Sequence, residues 1–337
     1  MALAESATRL RKFINDPADF VDEALDGLVL AYPDRIRRVD GEPRAIVGRE
    51  PRPDRVTIAT GGGSGHLPLF AGYVARGLVD GCAVGNMFAS PSLDVMLTVT
   101  KAISAGQGVL YLYGNYGGDR INFDAAADLA ADDGIEVKTL RAADDVLSAP
   151  PDKAESRRGI AGIYFGYVVA AGAVRAGMSL GDTSMITRHA LDRTRSAGAA
   201  LSGSVLPAVG APNFVLADGE MEIGTGIHGE PGTRRGPLLS ADEVADELVP
   251  PLLAELNMPA GAEAAVLVNG LGATPPEELY VLYRRVHQLL TGARITVRRA
   301  FVGEYATSLE MAGASISLLH LDDRLTGYID SAAAARP

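Results

Sequence analysis

Three stretches of the chain set reactive side chains among glycines: Gly61-Gly62-Gly63-Ser64-Gly65-His66, Gly114-Asn115-Tyr116-Gly117-Gly118-Asp119 and Gly224-Thr225-Gly226-Ile227-His228-Gly229-Glu230-Pro231-Gly232. In the first, residues without a Cβ let a ligand approach the main chain, and His66 then points at it. The same run also fits a phosphate cradle or a tight turn. It is not a Walker A loop, because no Gly-Lys-Ser/Thr follows, nor a dinucleotide fingerprint, because His66 stands where the third glycine belongs. Asp119 behind two glycines fits a turn former or a helix cap. It equally fits a carboxylate that orients or deprotonates a hydroxyl. His228 is crowded by glycines and a proline, and neutral imidazole is an accepted nucleophile in covalent catalysis. His189 and His287 fall on expected helices and His320 ends an expected strand, so these three read as structural. There is no His-x-x-x-His, cysteine pair or clustered aspartate motif for a metal.

Each glycine-rich loop follows a strand-like run. Val56 to Thr60 leads into the first, with a helix from Pro68; Val109 to Tyr113 leads into the second, with a helix over Phe123 to Ala131; Gly219 to Ile223 leads into the third, with a helix over Ala241 to Leu256. Between and around them the pattern predicts helices broken at Asp16-Pro17 within Ala4 to Ala31, Asp16 acting as N-cap. Asp94 to Ala105 reads as a helix stopped by Gly106, Ile160 to Ala176 as an apolar helix rich in small residues, and a further helical stretch runs to Arg195. Strands are expected over Ile135 to Leu140, Ala264 to Val268, Ile295 to Arg299 and Ser315 to Leu319. Thr274-Pro275-Pro276-Glu277 has the capping-box pattern ahead of Leu279, Leu282, Tyr283, Val286, Leu289 and Leu290 at helical spacing. This alternation predicts the α/β class: two α/β domains, each a mixed or mostly parallel sheet flanked by helices. The boundary falls near Gly181-Asp182, giving residues 1–181 with the first two loops and 182–337 with His228. Open α/β sheets bind ligands beyond the carboxyl ends of their strands, where these loops lie.

The 337 residues, 47% hydrophobic and 22% charged, suffice for one large or two ordinary domains with a sizeable core. No apolar run approaches the roughly 18 residues of a membrane span, and the first thirty residues lack a leader pattern. Cys82 is the only cysteine, so no intrachain disulfide forms. A cytoplasmic location without membrane attachment is expected. The charge, 31 − 42 = −11, argues against nucleic acid as a partner. It does not argue against anionic ligands held by main-chain amides. Arg35-Ile36-Arg37-Arg38 and Arg157-Arg158 read as solvated surface.

The three loops, together with Leu271-Gly272-Ala273-Thr274-Pro275, occur in an order that resembles the dihydroxyacetone kinase family, in particular its substrate-binding subunit. The resemblance covers nearly the whole chain. It implies a homodimer in which His228 adds to the carbonyl of a short-chain ketose to give a hemiaminal, with catalytic roles for His66 and Asp119 on the hydroxyl proton. It also implies substrate contacts at Gly63, Ser64, Gly65, His66, Gly114, Asp119 and His228. The chain itself is expected to carry no cofactor. A nucleotide with Mg is expected on a separate kinase subunit, either recharged by a phosphotransferase protein or exchanged as ATP. Gly114 stands where the family commonly has lysine, which implies a lost anchor and an opening beside the carbonyl. A ketose longer than dihydroxyacetone, such as an erythrulose or a branched pentulose, is therefore expected. The alternative is a ketose-sensing coregulator of transcription; His66, Asp119 and His228 together favour the enzyme. A self-sufficient ATP kinase is disfavoured by the missing P-loop and the short length.

Overall fold

The computed structural model describes residues 10–50 and 53–331. Two six-stranded sheets organise it. The first contains β1 (Ile36–Val39), β2 (Glu42–Gly48), β3 (Thr57–Ser64), β4 (Gly81–Met87), β5 (Val109–Gly114) and β6 (Val137–Ala142), in the order β1-β2-β4-β3-β5-β6. Its β4-β3-β5-β6 core is parallel, and β1 and β2 extend it antiparallel. Every residue of β5 is buried, as expected of a parallel strand covered on both faces. Four helices accompany this sheet: α1 (Phe20–Ala31), α2 (Ala71–Ala75), α3 (Leu93–Ile103) and α4 (Gly117–Asp132).

The connection between the sheets holds α5 (Ile163–Arg175) and α6 (Leu180–Asp192). The second sheet contains β7 (Thr194–Ala200), β8 (Glu220–Ile223), β9 (Arg234–Pro237), β10 (Glu263–Gly270), β11 (Thr296–Gly303) and β12 (Gly313–His320), in the order β11-β10-β12-β7-β8-β9. It is mixed, with β10 and β11 the parallel pair. Helices α7 (Ala241–Leu256), α8 (Pro276–Gly292) and α9 (Asp323–Ser331) complete it. The α7 start is a full capping box between Ser240 and Glu243, and Asn257 ends it in the left-handed region at φ 45°.

Helix α5 joins the two halves through one apolar core. Every residue from Ile163 to Val174 is buried. Tyr167 bonds Thr60 of β3 at 2.7 Å, while the Tyr164 ring lies 5.3 Å from that of Phe301 on β11 and 4.7 Å from that of Tyr305. Its small residues have a packing role: a Cβ on Gly172 would strike the Tyr328 ring of α9. Among the described residues no helix is long and apolar enough to cross a membrane.

Several local expectations change. Gly61 to Ser64 are strand residues rather than loop, and the sheet leaves the three glycines no room for side chains. A Cβ on Gly61 would clash with the Ala83 carbonyl and the Phe123 ring, one on Gly62 with the Phe70 ring, and one on Gly63 with the Phe88–Ala89 main chain. The first helix begins at Phe20, not Pro17: Asp16 instead heads a turn, accepting from Ala18 N at 2.8 Å. Residues 4–9 of that expected segment lie outside the described residues. Thr274 does not cap α8; its hydroxyl donates to Gly313 O at 2.6 Å. The helix expected to reach Arg195 ends at Asp192, where β7 takes over. Strands β1, β2, β4, β7 and β9 had not been anticipated. Arg157-Arg158 is not solvated surface. Arg157 is 1% exposed and grips Glu255 of α7 through two 2.6 Å bonds, and Arg158 pairs with buried Asp145.

Candidate active site

The chain leaves β3 for β4 on one side and returns to β5 on the other. The carboxyl ends of β3 and β5 therefore flank the point where strand order reverses, the usual ligand crevice of an open α/β sheet. His66 follows β3. Asp119 follows β5, in the first turn of α4 rather than in a loop. The second sheet contributes the segment between β8 and β9, which carries His228.

His66 is 1% exposed. Its Nδ1 lies 2.7 Å from the Thr307 carbonyl oxygen, which can only accept, so the ring proton sits on Nδ1. That leaves Nε2 with a lone pair and no protein partner. Burial, reinforced by nearby His228, pushes its pKa down to about 3, so the ring is neutral at physiological pH. The imidazole stacks on Phe88 at 4.9 Å and meets His228 edge to face at 4.8 Å.

His228 is held by its own loop. Its main-chain N–H donates to Glu230 Oε2 at 2.9 Å, and its Nδ1 lies 3.0 Å from Glu230 Oε1. Burial alone would raise the Glu230 carboxyl. The hydrogen bond and charge of His228, with Arg158 behind, outweigh that and hold it at about 2. An ionised carboxylate only accepts, so Nδ1 carries a proton, and in the neutral form of the ring the lone pair is on Nε2. Phe88 at 5.5 Å and Tyr116 at 4.6 Å complete an aromatic surround with His66.

Asp119 is 5% exposed, and its Oδ1 has no protein partner. Burial raises its pKa to about 6, against the opposing pull of a Ser90 hydrogen bond and of His228. A carboxylate poised there is suited to accepting a proton near neutral pH. The structure thus brings His66, Asp119 and His228 into one site.

The other residues expected to touch substrate are placed as follows. Ser64 turns its hydroxyl away, donating to Gly85 O at 2.9 Å. Gly65 adopts φ 103°, accessible to glycine, and its carbonyl accepts from Leu309 N at 2.7 Å. Gly63 lies against the Phe88–Ala89 main chain. At Gly114 the Tyr116 ring stands close: a Cβ there would lie 3.0 Å from Tyr116 Cε2. The Tyr116 hydroxyl donates to Gly159 O at 3.0 Å, and Asn115 Nδ2 donates to Glu155 O and Arg157 O.

Glu230, Phe88 and Thr307 were not singled out from sequence. Glu230 had a signal, since it sits two residues after His228 on the same glycine-rich loop. Thr307 had none, being 241 residues from the ring it fixes. A mostly apolar cavity of about 380 Å³ is lined by His66, Gly63, Ser64 and Gly65 together with Phe70 and Met87; neither Asp119 nor His228 lines it.

Fold and site together define a two-sheet α/β protein that presents a carboxylate-held histidine beside a buried histidine and a buried carboxylate. Residues 26–336 match the Dak1 domain, and the chain belongs to that family, the one its motifs resemble. It is 42% identical over 323 residues to "PTS-dependent dihydroxyacetone kinase 2, dihydroxyacetone-binding subunit DhaK" of Listeria innocua, covering 96% of this chain and 97% of that protein. It is also 42% identical over 318 residues to "L-erythrulose kinase" of Pectobacterium atrosepticum, covering 93% of this chain but 54% of that one. Among solved structures, "Dihydroxyacetone kinase operon co-activator Dha-DhaQ" superposes with a TM-score of 0.86 at 30% identity, over 91% of this chain and 95% of that one.

Proposed function

We propose that the chain is the ketose-holding subunit of a dihydroxyacetone-type kinase. The observation that carries this is the His228–Glu230 pair, which leaves Nε2 as the free nucleophilic nitrogen beside the unpartnered Nε2 of His66. The Nε2 lone pair of His228 forms a bond to the ketose C2, the carbonyl π pair moves to oxygen, and that oxygen takes up a solvent proton. The charge gained by the imidazole is met by the Glu230 carboxylate. Asp119 and the His66 Nε2 then orient a terminal hydroxyl and accept its proton as phosphoryl transfer proceeds. Short ketoses offer few atoms for non-covalent grip, at most about 1.5 kcal/mol per heavy atom for tiny ligands. A reversible bond fixes their position, on which phosphoryl transfer depends. Glycerol is rejected because it has no carbonyl.

The phosphoryl donor, a nucleotide with its Mg, belongs in this reading to a separate kinase subunit, and the chain acts as a cytoplasmic homodimer. The kinase names of the 42% identical relatives support the reaction class. The test is reconstitution with a cognate donor subunit and ketose. Phosphorylated ketose should appear with the parent and vanish with His228→Ala; equal product from both contradicts the proposal. A second reading, a ketose-sensing coregulator, draws on the likeness to the operon co-activator. It predicts ketose binding without product in that same assay.

A further inference from the structure

Arg158 occupies the place where the two sheets are stitched together. Beyond β6, Asp145 forms an isolated bridge with Ser196 of β7, and Val146 N donates to Ser196 O at 3.0 Å. Arg158 Nε donates to Asp145 Oδ2 at 3.0 Å, and its Nη2 lies 2.8 Å from the same oxygen. Nη2 also donates to Gly224 O at 2.8 Å, immediately after β8. Its Nη1 lies 4.0 Å from Glu230 Oε2. The Asp145 side chain is 1% exposed and that of Arg158 14%, so this anchor is largely shielded from water. Gly226 leaves the room: a Cβ there would collide with the Glu230 carboxylate and lie 2.6 Å from Arg158 Nη1.

We propose that Arg158 is a positioning residue for the His228 nucleophile, acting through Glu230. It fixes the carboxylate that captures Nδ1–H, keeps Nε2 the reactive nitrogen, and ties the His228 loop to the junction between the sheets. The proposal rests on the reading that His228 forms the ketose adduct. An imidazole without a fixed partner distributes its proton over both nitrogens, and only the Nδ1–H tautomer leaves Nε2 nucleophilic. Asp145, Arg158, Glu230 and the imidazole form a row of alternating charge once the ring gains its positive charge in the adduct. Partners one step behind a reacting group typically change its performance by about 10–100-fold.

The experiment uses the full chain with ¹⁵N-labelled histidine, and dihydroxyacetone labelled with ¹³C at C2 as the probe. Without ketose, the parent should show His228 as the Nδ1–H tautomer, whereas Arg158→Gln and Glu230→Gln should show mixed tautomers. With ketose, adduct affinity should fall about tenfold or more in Arg158→Gln. Arg158→Lys, which keeps the charge but loses the fork, should fall less. The double variant should be no worse than Glu230→Gln alone, because both substitutions break one chain of contacts. An Arg158→Gln protein that keeps the parent tautomer and affinity overturns the proposal. So do losses that multiply in the double variant. A parent that forms no adduct refutes the functional reading, while the ketose-free tautomer measurement still decides the role of Arg158.

Discussion

The rings of His66 and His228 meet edge to face at 4.8 Å, and each is held by the other half of the molecule or anchored to it. His66, at the end of a first-sheet strand, is fixed by Thr307 O from the second half. The loop bearing His228 is tied through Gly224 O to Arg158, which itself bonds Asp145 at the end of the first sheet. A shift of the halves would therefore misplace both rings at once.

Replacing Asp119 by Asn keeps its shape and removes its basicity. Turnover with the donor subunit should fall on the order of 10²–10⁴-fold. The parent rate should decline as pH drops through about 6, where burial places this carboxyl, and that acid limb should be absent from the residual activity of the variant. His66, with its pKa near 3, stays neutral across this range and adds no limb there. A kcat–pH series on both proteins checks the assignment.

The same substitution should stabilise the fold at neutral pH. A carboxyl whose folded pKa lies above its unfolded value costs stability above the folded pKa, and that cost is relieved as pH falls through about 6 towards the ordinary carboxylate range. Asp119→Asn should raise unfolding stability at pH 8 by on the order of 1–3 kcal/mol, with the gain shrinking by pH 5. Urea melts at the two pH values measure it.

Arg157 and Glu255 tie the segment before α5 to α7, and Arg195 shares the same carboxylate at 3.1 Å. Burial raises the Glu255 carboxyl, but the Arg157 and Arg195 contacts prevail and lower it overall. The resulting stabilisation is present above the ordinary carboxylate range and lost as pH falls through the lowered pKa. Glu255→Gln strands a buried guanidinium and should cost roughly 3 kcal/mol at pH 7 in a denaturant melt. Replacing Arg157 and Glu255 together by Met should cost less than that.

The Tyr116 ring packs against Gly114 and lies 4.6 Å from His228, beside the position where an opening for a longer ketose is expected. Tyr116→Ala should raise the ratio of kcat/KM for erythrulose over dihydroxyacetone by about tenfold, the scale of one extra carbon in a shaped pocket. An unchanged ratio would mean that the chain end lies elsewhere.

Which parts of this were legible in the sequence follows from how local each cause is. The range of the α7 helix was read to the residue, and the Ser240–Glu243 capping box that fixes its start is local in sequence. Strands β3, β5, β6, β8, β10, β11 and β12 were expected, β3, β5, β10 and β12 from their apolar runs. The Gly61–Ser64 strand was misread as a loop, since glycine signals freedom locally while Phe70, Phe88 and Ala83 demand it here through contacts made after folding. Edge strands such as β1 and β9, short and arginine-bearing, carry no apolar run to read. The site histidines and Asp119 stood out by type and setting. Arg158 did not, because two adjacent arginines look solvated until Asp145 and Glu255 are brought to them.

The covalent role of His228 is tested most directly by a crystal structure of the chain soaked with dihydroxyacetone. The account predicts continuous density from His228 Nε2 to a tetrahedral C2, with Nδ1 still on Glu230. A fully occupied ketose whose planar carbonyl stands clear of the ring, at non-bonded distance from Nε2, would contradict it.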